Sequence, residues 1–158
     1  MAVVLLNQSE HHMSSYNQEL TVNWGESDPF GLVYYAREVA WFNEVEHELF
    51  RQIGFPIDHM IKKDRSAFVM GEIQFRFVGP AAYGDRVRCS IVLREIRERT
   101  LHWDCTALNL GTGDLICEGA ATRVYAQILD DGNLKSNSIP QVIRDALLAF
   151  TPDDGETQ

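Results

Sequence analysis

From residue 34 to residue 53 apolar side chains return every three or four positions. At 100° per residue, Tyr35, Val39, Phe42, Leu49, Phe50 and Ile53 gather on one side, with Arg37, Glu44, Glu48 and Arg51 opposite. The spacing predicts one long amphipathic helix. Gly54 supplies its C-terminal cap, and Pro56 stops it continuing. Elsewhere the period falls to two. Strands are predicted over 18–24, 67–78, 85–98, 100–110 and 115–128. The alternation is sharpest in the third of these, where Val87, Cys89, Ile91 and Leu93 oppose Arg86, Arg88 and Arg94. "GPAAYGD", "RERT" and "GTGD" separate the last four strands as turns. A short helix over 139–150, with Pro140 suited to its first turn, closes the pattern.

The predicted order is strand, long helix, four strands, short helix. One long helix cannot cover both faces of a five-stranded sheet. The expected fold is therefore α+β, a curved antiparallel five-stranded sheet wrapped around one long central helix. The sheet face and edges left over point to self-association. A chain of 158 residues is expected to form a single domain, here 17–150. Residues 1–16 read as a flexible extension, and "TPDDGETQ" (151–158) as a flexible acidic tail.

Charge narrows the partners. A net charge of −9 argues against nucleic-acid binding. Residues 62–99 nevertheless carry a net +4, leaving −13 on the rest. Such a stretch suits a small polyanion, or else consists of solvated arginines on strand faces. No apolar run reaches the roughly 18 residues that a membrane span needs. The N-terminus lacks a basic segment and a cleavage site, so a cytoplasmic protein is expected. Cys89, Cys105 and Cys117 are widely spaced within strand-like segments and read as buried free thiols. No CxxC or HxxxH spacing calls for a metal, and no glycine-rich phosphate loop calls for a nucleotide cofactor, so none is expected.

The candidate chemistry lies just ahead of the long helix, in "WGESDPFGLVYY". Asp28 either starts a turn, as Asp-Pro often does, or is presented by that turn to a substrate. The first N–H groups of a helix lack internal partners and sit at its positive end. They can therefore stabilise an oxyanion, and the same end favours a nearby carboxylate. Pro29 and Gly31 would set the turn, with Gly31 free to take a positive φ. Glu46, inside the apolar stripe, must be paired or belong to a site, because an unpaired buried charge is very costly. His47 reads as exposed. His102 and Asp104 share a strand face but have no nucleophile elbow to serve.

"DPFGLVYY" (28–35), "FVGPAAYGD" (77–85) and the element order together resemble the hotdog-fold acyl-CoA thioesterases of the 4-hydroxybenzoyl-CoA thioesterase-like family. The resemblance covers roughly residues 17–127. It implies hydrolysis of an acyl-CoA thioester without a cofactor, in a homodimer or homotetramer with sites at subunit interfaces. By position, Asp28 takes the role of nucleophile or general base, and the Tyr35 N–H polarises the thioester carbonyl, with Gly31 in the turn between them. Phe30 and Tyr34, with Tyr35 and Trp41, would wall the acyl group. Arg86 and Arg88 head the candidates for the CoA phosphates, with Arg97, Arg99 and Arg123. The family commonly carries an acidic residue fifteen positions after the aspartate. Here that position is Asn43, which with Glu46 is expected near the substrate. Glu72 is a second carboxylate candidate. The acyl group is expected to be aromatic (benzoyl or hydroxybenzoyl) or a short-to-medium chain. Release of acyl groups from a carrier protein, or non-catalytic acyl-CoA binding, are the alternatives.

Overall fold

The computed structural model describes residues 15–150. Six strands form one antiparallel sheet: β1 (Ser15–Thr21), β2 (Ser66–Phe77), β3 (Arg86–Ile96), β4 (Thr100–Asn109), β5 (Leu115–Ile128) and β6 (Leu134–Ser136). The main path runs β1-β3-β4-β5-β2, and β6 pairs with β5. The long helix α1 spans Tyr35–Gln52, α2 is one short turn at Ile57–His59, and α3 spans Gln141–Ala149. This is the expected hotdog architecture, enlarged by one strand. All three residues of β6 are exposed and show no apolar alternation, so its sequence gives no strand signal.

The segment predicted as a connector after α1 holds α2, followed by a π-type turn at Met60–Asp64. The first strand is displaced from its expected place. It begins at Ser15, and Trp24 lies in a separate 3-10 turn, Trp24–Glu26. Ser15 and Tyr16 thus belong to the domain; Tyr16 is buried and meets Phe150 edge-on at 5.8 Å. Of the flexible segments expected at 1–16 and 151–158, residues 1–14 and 151–158 lie outside the described residues.

The core fills the space between α1 and the sheet. Val87, Cys89, Ile91 and Leu93 of β3 all point inward, as the alternation predicts. Phe42 of α1 packs on Phe75 of β2 at 5.1 Å, and Phe50 on Phe68 at 5.2 Å. Each such side chain contributes roughly 1.5–3 kcal/mol by leaving water. The buried stripe of α1 is rotated from the expected one: it comprises Glu38, Trp41, Phe42, Val45, Glu46, Leu49 and Phe50. Tyr35, placed on the inner face by periodicity, is exposed. It stands in the first helical turn.

Candidate functional site

Residues 27–33 form a small hairpin ahead of α1. Asp28 and Leu32 join through Asp28 N–H to Leu32 O (2.7 Å), and Gly31 N–H closes a four-residue turn on Asp28 O (3.0 Å). Asp, Pro and Gly at the first, second and fourth positions suit that turn, and Gly31 adopts φ 79°, which strains any residue with a Cβ. The Val33 N–H then reaches Ala81 O (2.8 Å), docking the hairpin on the segment after β2. That segment is fixed in turn, because Val78 and Gly79 both donate to Ile116 O (2.8 and 3.0 Å). A Cβ on Gly79 would lie 2.7 Å from Leu115 O, so only glycine permits this approach.

Asp28 forms the expected turn and keeps one carboxylate oxygen out of it. Its Oδ1 accepts the Phe30 and Leu32 N–H groups (2.8 and 3.2 Å), an Asx turn that orients the carboxylate. No donor among the described residues takes Oδ2. At the start of α1, the first N–H to reach an acceptor is that of Arg37, on Tyr34 O at 2.8 Å. The Tyr35 N–H is thus a free donor at the positive end of the helix.

Asp28 and Tyr35 line one cavity of about 360 Å³, within the range of ligand sites. Leu32, Val33, Phe77, Val78, Pro80 and Ala81 make it largely apolar. The Tyr35 ring meets Phe77 edge-on at 5.9 Å and Tyr34 at 4.6 Å. Phe30 on the hairpin and Tyr34 at the start of α1 are exposed, outside the cavity lining. Trp41 is a core residue whose Nε1 donates to Glu26 Oε1 at 2.8 Å.

One lining residue was not foreseen. Glu38 lies on the buried stripe of α1, only 5% exposed, and burial pushes its carboxyl up from 4.5 to about 7. The sequence signal was its spacing from Phe42 and Val45, four and seven residues on. The folded chain keeps a proton here that the unfolded chain releases above about pH 4.5. This contribution to stability is complete below 4.5 and is lost as pH rises through 7. Glu38→Gln removes the dependence. At pH 8 the variant is expected to be more stable than wild type by up to about 3 kcal/mol, and at pH 4 equal to it, by urea denaturation.

The other expected site residues lie elsewhere. Glu46 is buried and paired within the chain to Arg123, whose Nε reaches both carboxylate oxygens (3.2 and 3.0 Å). Asn43 accepts from Nη2 of the same arginine. Arg86 and Arg88 both bind Glu19 across the β1–β3 pair (2.5 and 2.7 Å). Arg76, Arg94, Arg97 and Arg99 are likewise paired, with Glu118, Asp104, Glu95 and Glu98. Much of the positive stretch is thereby neutralised locally. Glu72 and His47 are exposed, and His102 sits between the Thr100 and Thr122 hydroxyls (2.9 and 3.1 Å). Cys89, Cys105 and Cys117 are buried and free, as expected. A larger cavity of about 460 Å³ crosses β2–β5, but its four charged residues form the Arg76–Glu118 and Arg94–Asp104 pairs. No group of three or more potential metal ligands occurs among the described residues, nor any helix long and apolar enough to cross a membrane.

A family model of the thioesterase-like superfamily matches residues 22–147. Solved structures share the fold at low identity. A 1,4-dihydroxy-2-naphthoyl-CoA thioesterase from Synechocystis superposes with a TM-score of 0.78 at 17% identity, covering 86% of this chain and 97% of its own. The 4-hydroxybenzoyl-CoA thioesterase from Pseudomonas sp. strain CBS-3 gives 0.73 at 20% identity, covering 84% and 98%. A gentisyl-coenzyme A thioesterase gives 0.72 at 24% identity, covering 81% and 98%.

Proposed function

Because the chain belongs to the thioesterase-like superfamily, a group of thioester hydrolases, we propose that it cleaves an aromatic or short-to-medium acyl-CoA thioester in the Asp28 cavity. The observation that carries this reading is the shared cavity of Asp28 and Tyr35: a carboxylate with one unclaimed oxygen and the residue that bears the first N–H of a helix line the same space. The thioester carbonyl oxygen accepts the Tyr35 N–H, which stabilises the charge developing there; one such donor typically supplies about 3–4 kcal/mol. With Asp28 as general base, water adds to the acyl carbon and gives its proton to Oδ2. The tetrahedral intermediate then re-forms the carbonyl, breaks the C–S bond, and the departing thiolate takes that proton. With Asp28 as nucleophile, Oδ2 attacks instead, CoA leaves, and water hydrolyses the mixed anhydride. Single turnovers in oxygen-18 water identify the anhydride route when label enters the Asp28 carboxylate, which happens when water attacks the anhydride at the Asp28 carboxyl carbon.

The aromatic preference rests on the Tyr35 and Phe77 rings and on the substrates named for the similar structures. No cofactor enters the reaction. We assign the CoA phosphates to the arginine-bearing face of β3, with Arg86 and Arg88 exchanging Glu19 for phosphate. The working unit is a homodimer or homotetramer in the cytoplasm. β2 is an edge of the main sheet path and exposes Met70, Ile73 and Phe77, an edge unpaired among the described residues that invites a second copy. Incubation with benzoyl-, 4-hydroxybenzoyl-, hexanoyl- and acetyl-CoA should release free thiol, fastest from an aryl ester, from a species that sediments as a dimer or tetramer. Tight binding of these esters without thiol release would instead favour a non-catalytic acyl-CoA module. Release from acyl-carrier protein alone would favour the carrier-protein enzyme.

A further inference from the structure

The hydrolysis just described gives no task to Glu38, although Glu38 lines the same cavity. Its Oε2 is buried and has no hydrogen-bond partner among the described residues. The groups near it are neutral or acidic. The Cys117 thiol on β5 hydrogen-bonds the carboxyl, and the Cys89 thiol on β3 lies within its field. Burial pushes both thiols up, so they remain protonated and add no charge. Asp28 stands in the same lining, and no lysine or arginine offsets the Glu38 charge. The other buried glutamate on this face of α1, Glu46, has Arg123 for that purpose. Protonation can relieve the charge on Glu38, but it leaves Oε2 without a hydrogen-bond partner, and a buried polar atom left so is costly.

The walls of the cavity are apolar and aromatic, so an acyl body can enter while its polar substituents find few partners. We propose that Glu38 selects the acyl group: Oε2 hydrogen-bonds a hydroxyl on the acyl moiety, so that hydroxyaryl thioesters are taken in preference to unsubstituted ones. This rests on the thioesterase reading of the Asp28 cavity and goes beyond it, because it assigns substrate choice to a residue without a part in bond cleavage.

The test is a ratio. Wild-type kcat/KM for at least one of 2-, 3- and 4-hydroxybenzoyl-CoA should exceed that for benzoyl-CoA by about tenfold, the size of one good hydrogen bond. The corresponding methoxybenzoyl-CoA, which lacks the donor, should fall to the benzoyl value or below. In Glu38→Met the hydroxyl preference should collapse to about one, whatever the absolute rate. In Glu38→Gln, which keeps a donor and an acceptor, it should persist. A purely structural role would lower both esters alike and leave the ratio unchanged. Calorimetric affinities of the same esters for the Asp28→Asn variant read the ratio without turnover. A hydroxyl preference in binding with no hydrolysis by wild type would sink the thioesterase reading alone. Hydrolysis with no hydroxyl preference in wild type, or a preference that survives Glu38→Met, overturns the role of Glu38. Should Glu38→Met fail to fold, the methoxy comparison in wild type still decides: methoxy esters cleaved as fast as hydroxy esters would exclude it.

Discussion

Replacing Asp28 by Asn is expected to lower kcat/KM for the best thioester by roughly 10²–10⁴-fold, the usual loss when a positioned acid–base group is removed. The substitution isolates chemistry from architecture. Oδ1 accepts the Phe30 and Leu32 N–H groups and so holds the hairpin that carries the residue. Asparagine keeps an oxygen in that place, so the turn and the cavity wall persist while the free carboxylate oxygen is lost. The melting temperature should stay within a degree or two of wild type, and the deficit should appear in kcat with KM little changed. Asp28→Ala removes the turn acceptor as well. It should lose activity comparably and also stability, by about 1 kcal/mol, the scale of a lost capping-type hydrogen bond. Undiminished hydrolysis by the Asn variant would remove Asp28 from the mechanism under either the base or the nucleophile form.

The legibility of this chain follows the range over which each feature is determined. Helix α1 and strands β2–β5 were readable because their signals are local: a period of three to four, then of two, with Gly54, Pro80 and Gly84 as punctuation. The Asp28 turn was readable for the same reason, since its Asp, Pro and Gly act within four residues. The face that α1 buries was harder. A stripe anchored on Tyr35 and Val39 rejects Glu38, because a carboxylate counts as a break in an apolar pattern. The sheet instead receives Glu38, Trp41 and Val45. A buried functional group thus looks, in sequence, like an error in the pattern. The arginines illustrate the opposite limit. Arg86 and Arg88 alternate outward as predicted, but their partner Glu19 lies in β1, and only the register Glu19↔Arg88 brings the charges together. Long-range register also explains why the sequence singles out Asn43 and Glu46 but groups Arg123, eighty residues beyond Asn43, with the phosphate ligands.

That Arg123 network should dominate stability. Glu46 and Arg123 are 5% and 8% exposed, and their pairing ties the middle of α1 to β5. Removing one partner strands a charge where water cannot reach it, so Glu46→Ala or Arg123→Ala is expected to cost about 3–5 kcal/mol. Replacing both by apolar residues of similar size, Glu46→Leu with Arg123→Met, removes the desolvation cost along with the attraction. The double variant should therefore recover most of the loss, and urea melts of the two singles and the double close the cycle. The outcome reaches the site as well. Glu38 lies two turns before Glu46 on α1, and Cys117, its hydrogen-bond partner, lies six residues before Arg123 on β5. If the ion pair sets how α1 sits on β5, the double variant should refold well yet lose part of the hydroxyl preference assigned to Glu38. If packing alone sets it, stability and preference should return together.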